Sequence, residues 1–295
     1  MQSALTERDI RPPANASPML SRKSPAIVTG GALGRIGSLE VRLARDEAEI
    51  AASQEIRFRV FYEELGAKRQ LVHALEQRDA DRFDEHCDHL LVFDTALPGP
   101  DTQRIVGTYR LLRQERAVAT GGFYSNDEFE LDALVARHPG VRFLELGRSC
   151  VLPNYRSKRT IEVLWQGIWA YINHYEIGAM TGCASFHGTV PAQHAEALSY
   201  LAHHCRADPS WDVRAVAERY QAMDLMPMEA VSMRSAFAAM PPLIKGYLRV
   251  GAKIGDGCVI DRDFGTIDVF IILPVTAIGA RYITYLTNEA DRFAA

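Results

Sequence analysis

The stretch LELGRSCVLPNYRSKRTIEVLW, residues 144–165, constrains the fold more than any other part of the chain. It opens as an apolar run with the character of a buried strand, yet the run holds Glu145 and Arg148. Pro153 then turns the chain, and a basic cluster of Arg156, Lys158 and Arg159 leads into a helical pattern over residues 160–175. On a regular strand successive side chains alternate, so residues three apart face opposite sides. For Glu145 and Arg148 to reach one site the strand must bulge or end between them, and Gly147 would permit that. Two readings of the pair stand at this point: a structural ion pair with other buried charges, and a functional site opening on the strand.

The elements around this stretch follow from periodicity. Leu39, Val41 and Leu43 alternate with polar residues and predict a strand. A helix runs from Asp46 through Ile50, Ile56 and Val60 to Leu65, with Gly66 as its stop. HLLVFD (residues 89–94) and RIVGTYRLLR (104–113) read as an antiparallel hairpin. A short helix over 127–137, a strand over 178–186 and a helix over 192–205 complete the pattern. This order predicts an α/β (α+β) domain, a mixed central sheet flanked by helices. Residues 1–37, rich in Pro, Ser, Ala and Gly, read as a flexible leader, 38–208 as the domain, and 209–295 as a C-terminal extension packed on it. Gly31, Gly34 and Gly37 imitate a dinucleotide fingerprint, but a strand follows where that motif needs a helix, so the nucleotide reading is rejected.

With 295 residues, 47% of them hydrophobic, the chain can bury one large core. A net charge of −4 excludes a general nucleic-acid footprint, and any basic patch must be local. The five cysteines, Cys87, Cys150, Cys183, Cys205 and Cys258, form no Cys-x-x-Cys pair and fit unpaired thiols in a reducing compartment. Cys150 reads as a small buried hydrophobe rather than a nucleophile. The run VFIILPVTAIGA (269–280) is too short to span a bilayer, and the first residues lack the apolar core of a secretory signal. The expectation is a cytoplasmic protein, soluble or peripheral to a membrane.

Four groups carry chemistry-bearing side chains. They are Arg57 and Arg59 in IRFRVFYEELG; Asp79, Asp81, Asp84 and Asp88 with His86 and His89 in the next acidic run; Arg110 in GTYRLLR; and the pair Glu145 and Arg148. The acidic run has no His-x-x-x-His spacing and no compact second cluster, so no metal site is expected. Each group alone has an ordinary reading: a solvated loop, surface arginines, an outward strand residue.

Together, in this order and spacing, they resemble the acyl-homoserine-lactone autoinducer synthases. The resemblance is carried by Arg57, Val60 and Phe61, by Phe83 and Asp84, by Gly107, Arg110 and Leu111, and by Glu145 and Arg148. The chain is more similar still to the hemolysin-like acyltransferases that make ornithine lipids in bacteria, through DRFDEHCDHLLVFD, VGTYRLL, LELGRSCVLPNYR and PPLIKGYLRVGAKIGDG. That likeness covers most of residues 39–275. Both groups are similar to the GCN5-related N-acetyltransferase (GNAT) fold.

The resemblance implies an N-acyltransferase that moves a 3-hydroxyacyl group from acyl carrier protein to the α-amine of L-ornithine, giving lyso-ornithine lipid. Its rivals are acylation of another amino acid or amine, and a non-catalytic acyl- or lipid-binding module. Acetyl-CoA users of the fold carry a Gly-containing loop that cradles the diphosphate before the main helix. The corresponding turn here, Tyr155 to Thr160, has no glycine. That departure favours a carrier protein, whose 4'-phosphopantetheine arm has one phosphodiester and whose acidic surface would suit Arg156, Lys158 and Arg159. No other cofactor is implied. The implied partners are acyl carrier protein, a small amino-acid acceptor and, through a membrane-seeking product, peripheral contact with the inner membrane; nucleic acid is not among them.

Within that reading Glu145 and Arg148 are the catalytic candidates, Glu145 as general base or as holder of the substrate ammonium. Arg57, Asp84 and Arg110 are the substrate-binding candidates. Arg110 or Arg148 suits a carboxylate by its guanidinium fork, and Asp84 suits the ornithine side chain or orders the first helix through Arg57. A bulged backbone N–H over 147–150 is expected to serve the oxyanion. Trp165, Ile168, Trp169 and Ile172 fall at helical spacing and read as core in preference to an acyl slot. The Met-rich segment 223–247 reads equally as lipid contact and as packed tail.

Overall fold

The computed structural model describes residues 31–68 and 75–279. Eight strands form one sheet: β1 (Gly34–Ile36), β2 (Leu39–Leu43), β3 (Asp88–Asp94), β4 (Ile105–Arg113), β5 (Phe143–Val151), β6 (Ala179–His187), β7 (Lys253–Asp261) and β8 (Thr266–Pro274). Their spatial order is β1-β2-β3-β4-β5-β6-β8-β7. The principal helices are α1 (Glu47–Phe58), α2 (Leu131–Arg137), α3 (Lys158–Tyr175), α4 (Ala195–His204), α5 (Met233–Ala239) and α6 (Pro242–Val250).

Neighbouring strands are antiparallel except β5 and β6, which are parallel. Parallel neighbours need a crossover, and α3 supplies it. Ser157 caps α3 by accepting the Thr160 N–H. Val163, Leu164, Ile168 and Ile172 then recur at helical spacing and pack on the sheet. Gly167 allows the close approach, because a Cβ there would lie 2.9 Å from the Val41 side chain. Trp165, Ile168, Trp169 and Ile172 are all part of this apolar core.

The alternation of side chains gives the two faces of the sheet different chemistry. On one face Val41, Leu90, Tyr109, Leu111, Leu144 and Met180 lie in the core shared with α3, α4 and α6. On the other, Arg42, Arg110 and Glu145 are equally buried, beneath α1 and the turns that precede α2. α1 starts at Asp46, which accepts the Glu49 N–H, and continues through a wider turn (Arg59–Glu64) to Gly66. Arg42 meets Glu49 of α1 in a two-pronged pair at 2.7 and 2.6 Å.

Two expected boundaries move. Gly34–Ile36, expected inside a flexible leader, is an edge strand paired with β2; residues 1–30 lie outside the described residues. The segment after 209, expected as an extension packed on the domain, contributes β7 and β8 to its sheet. β8 pairs with β6 along its whole length, from Ala179 opposite Pro274 to His187 opposite Thr266. The physical reason is the open hydrogen-bonding edge that β6 would otherwise present. In the Met-rich segment, Met223, Ala236, Met240, Ile244 and Tyr247 are core, while Leu225, Met228, Met233 and Leu243 are exposed. Among the described residues no helix is long and apolar enough to cross a membrane.

Candidate active site

β5 and β6 pair only where Phe143, Leu144 and Glu145 face Ala179, Met180 and Thr181. Past Glu145 the ladder ends, although the Leu146 backbone still packs closely against Gly182. A small crevice of about 10 Å³ lies there, lined by Leu146, Thr181, Gly182, Cys183, Tyr247 and Ile271. On its other edge β5 bulges. Thr108 faces Cys150 and Arg110 faces Gly147, so Arg148 and Ser149 together stand opposite Tyr109. The expected bulge is present, but the residue that bends is Arg148, at φ +51°, and not Gly147. The left-handed region costs a non-glycine residue roughly 1–2 kcal/mol, so the surroundings of Arg148 must hold it there. The bulge brings the pair together: Glu145 accepts the Tyr124 N–H at 2.7 Å, and Arg148 Nη1 donates to the Tyr124 hydroxyl at 3.3 Å.

Arg148 belongs to a closed ring of alternating charges. Arg57 donates Nε to Asp79 at 2.8 Å, and Nη1 and Nη2 to Asp84 at 2.8 and 3.0 Å. Arg110 donates to Asp81 at 2.6 Å and lies 3.6 Å from Asp84. Arg148 lies 3.2 Å from Asp79 and 3.3 Å from Asp81. The circuit Arg57, Asp79, Arg148, Asp81, Arg110, Asp84 is balanced in charge, which makes its burial tolerable. Burial works to raise the carboxyls of Asp79 and Asp84, but the surrounding guanidiniums hold both below the usual carboxylate range.

The ring corrects part of the expected substrate set. Arg57 is fully buried, with all three nitrogens engaged by Asp79 and Asp84, so it ties α1 to the acidic loop and presents nothing to a ligand. Asp84 is taken up by Arg57 and by the Asp81 N–H. The Arg57–Asp84 pair joins the acidic loop to α1. Arg110, 3% exposed, is likewise held by aspartates. Arg148 is the most open of the three arginines, with 13% of its side chain exposed.

Glu145 is buried against the turn Tyr124–Asp127. Its carboxylate accepts the Tyr124 N–H at 2.7 Å, the Ser125 N–H at 2.8 Å and the Ser125 hydroxyl. Burial raises this carboxyl above its ordinary value, against the opposing pull of the Ser125 and Tyr124 bonds. Ser125 Oγ lies 3.3 Å from Cys183 Sγ, and Cys183 Sγ lies 3.4 Å from Glu128 Oε2. A polar line of Glu145, Ser125, Cys183 and Glu128 therefore runs beside the crevice. Burial lifts the Cys183 thiol well above the ordinary thiol range, which removes it as a thiolate nucleophile. The Cys150 thiol, buried near Ile56 and pushed up to about 12, is the small core residue expected.

Arg156, Lys158 and Arg159 are all exposed at the start of α3. Arg156 forms a two-pronged pair with Glu64 at 2.6 and 2.7 Å, and Lys158 lies 3.3 Å from Glu162. Sequence reasoning missed Tyr124, Ser125, Glu128, Asp261 and Asp268. Asp268 carried a signal, a lone charge inside the apolar strand TIDVFIIL. Glu128 carried none, because DEFELD reads as an ordinary helix start.

Residues 56–166 match the Acetyltransferase (GNAT) domain family. A relative from Brucella abortus named L-ornithine N(alpha)-acyltransferase is 64% identical over 88% of this chain and 93% of its own length. The chain belongs to the L-ornithine N(alpha)-acyltransferase family. It is an N-acyltransferase with a GNAT-like fold, as the sequence resemblance implied. A second member of the L-ornithine N(alpha)-acyltransferase family, from Agrobacterium fabrum, is 56% identical over 89% of this chain and 89% of its own length. Among solved structures, FeeM, an N-acyl amino acid synthase from uncultured soil microbes, is similar at 12% identity over 81% of this chain and 91% of that chain, with a TM-score of 0.47. The segment matched to the GNAT domain family contains the charge ring and the bulge, whereas β6, β7 and β8 lie beyond it.

Proposed function

We propose that this acyltransferase moves a 3-hydroxyacyl group from the 4'-phosphopantetheine thioester of acyl carrier protein to the α-amine of L-ornithine, giving lyso-ornithine lipid. The observation that carries the reading is the end of the β5–β6 ladder at Glu145, in a chain whose relatives are named L-ornithine N(alpha)-acyltransferases. Past Glu145 that edge of β5 has no strand partner among the described residues. Beyond Leu146, whose carbonyl packs against Gly182, its backbone groups would pair with the amides of an extended pantetheine arm. The crevice also has two chemistries. At about 10 Å³ the crevice must widen to admit substrate; its Leu146, Tyr247 and Ile271 wall would then meet an acyl chain, and Cys183 leads to the charged face and a charged amino acid.

The nitrogen attacks the thioester carbonyl, the C–S bond breaks, and the pantetheine thiol leaves. An α-amino group has a pKa of about 8, so a base must take its proton at neutral pH. We assign that role to Glu145 acting through Ser125, whose hydroxyl passes its proton to the carboxylate as it accepts one from the nitrogen. The proton now on Glu145 then passes to the leaving thiolate, and the second proton lost by the ammonium goes to solvent, so the products are amide, thiol and one released proton. Backbone N–H groups of the bulge at 147–150 serve the oxyanion, and Arg148 takes the acceptor carboxylate. Arg156, Lys158 and Arg159 meet the acidic carrier protein. Leu225, Met228, Met233 and Leu243 supply peripheral contact with the inner membrane.

The test is purified protein with loaded acyl carrier protein and a panel of amino acids, read by mass spectrometry. The expected product is N-acyl-ornithine. Acylation of a different amine, or transfer from acyl-CoA in preference to the carrier protein, overturns the corresponding part. Glu145→Gln is expected to lower turnover by about 10²–10⁴-fold while the fold persists by circular dichroism; near-normal turnover removes Glu145 from the mechanism.

A further inference from the structure

We infer that Glu128, Asp261 and Asp268 form the pocket that receives the side-chain ammonium of a diamino-acid acceptor, and so set the selectivity for ornithine over uncharged amino acids. The inference rests on the acceptor reading above and assigns it to residues outside the charge ring.

The three carboxylates come from separate elements. Glu128 follows the turn Tyr124–Asp127, Asp261 ends β7 and Asp268 lies within β8. One oxygen from each lies within 4.8 Å of the others. Glu128 and Asp268 are 4% and 6% exposed. The cation that reaches them is Arg219, 3.1 Å from Glu128. One oxygen of Asp261 accepts the N–H groups of Asp263 and Phe264. One oxygen of Asp268, Oδ1, makes no well-formed hydrogen bond among the described residues, although the Ser185 and Thr266 hydroxyls lie beside this carboxyl and lower it. Three acids facing one guanidinium must hold either excess negative charge or retained protons, in contrast to the balanced ring a few side chains away. Burial and mutual repulsion push the Glu128 and Asp268 carboxyls upward, and an entering cation would relieve that repulsion.

The spacing, at most 4.8 Å between oxygens, admits an ammonium. An ammonium offers three N–H groups at tetrahedral angles. At a charge-assisted reach of about 2.8 Å they call for acceptors about 4.6 Å apart. Calcium or magnesium needs about six oxygen ligands, and three carboxylates, one of them shared with Arg219 and Cys183, fall short. Location selects the source. Cys183 Sγ touches Glu128 at 3.4 Å and its residue lines the crevice. An acceptor whose ammonium sits among the acids therefore has its other nitrogen directed toward the crevice and the thioester.

The test compares kcat/KM for L-ornithine and L-norvaline, which differ by the terminal amine, in the wild-type protein, Asp268→Asn and Glu128→Gln. Wild type is expected to favour ornithine by at least about 100-fold, and each variant to reduce that ratio by about 30-fold, chiefly through a higher KM for ornithine. Thermal melts check that both variants are folded. If wild type acylates ornithine and both folded variants keep the full ratio, the pocket assignment falls while the function stands. If wild type acylates only amines without a second cation, both fall. Saturable binding of Mg²⁺ or Ca²⁺ that Asp268→Asn abolishes would assign the pocket to a metal and also overturn the inference.

Discussion

Between α3 and the sheet, Val163, Ile168 and Ile172 are buried against Val41 and Leu90; across the same strands, Arg42, Arg110 and Glu145 are buried just as fully. The apolar face is held by area and shape, so a lost methylene costs in proportion to what it removes. The charged face works by matching. Each group needs its partners, and removal of one leaves another charge stranded in a poorly solvated place. Where matching is complete, as around Arg57, the face is scaffold, and only the ring's more open member, Arg148, is left to meet a ligand. Where it is incomplete, as at Glu128, Asp261 and Asp268, the face is ready for a ligand. Incomplete matching, more than burial or charge alone, separates the site from its support.

The comparison can be broken in order of expected effect. Arg57→Ala strands Asp79 and Asp84 and is expected to cost about 3–5 kcal/mol in urea unfolding; a loss near zero would show that the ring relaxes around the gap. On the apolar face, Ile168→Ala is expected to cost about 2–5 kcal/mol through a cavity. Its kcat/KM should stay within about twofold of wild type, and a large kinetic loss would bring α3 into the site. Asp268→Asn sharpens the point with a change of sign. Its folded carboxyl is raised above an unfolded value of about 4, as is that of Glu128. Above pH of about 4 the folded chain therefore holds more protons than the unfolded one, and the contribution of these groups to stability falls as pH rises through the folded values. Asp268→Asn should raise Tm by a few degrees at pH 8 and by little at pH 4.5; equal shifts would remove the electrostatic account. The smallest effect belongs to the surface. Arg156→Ala loses an exposed pair with Glu64 and should cost under about 1 kcal/mol, while KM for acyl carrier protein rises several-fold; an unchanged KM would leave the basic turn as a solvated surface.

Much of this was legible in the sequence. The 2-residue and 3.6-residue periods gave β2 to β6 and the long helices, and the charged pair in residues 144–151 announced the bulge. Gly147 drew attention because glycine tolerates a bend, yet Arg148 bends, held by Asp79, Asp81 and the Tyr124 ring, none of which a local reading can weigh. Partner choice is a long-range property. Arg57 pairs with residues 22 and 27 positions away, so its role as scaffold in place of ligand contact could not be read from its helix. The acid pocket was hidden for the same reason, since its members are spread between residues 128 and 268. The change of texture near 209 suggested a boundary, but sheet closure depends on which edge is open, and that edge is made elsewhere.

Placing β8 beside β6 has a consequence for biosynthesis. A nascent chain that has emerged only to residue 250 already contains the segment matched to the GNAT family and the whole charge ring, but it lacks one wall of the acceptor pocket and shows a bare edge on β6. Such a chain is exposed to edge-to-edge pairing with its neighbours on the polysome. Catalytic competence and protection from aggregation arrive together, when residues 266–274 leave the ribosome and zip onto the waiting strand.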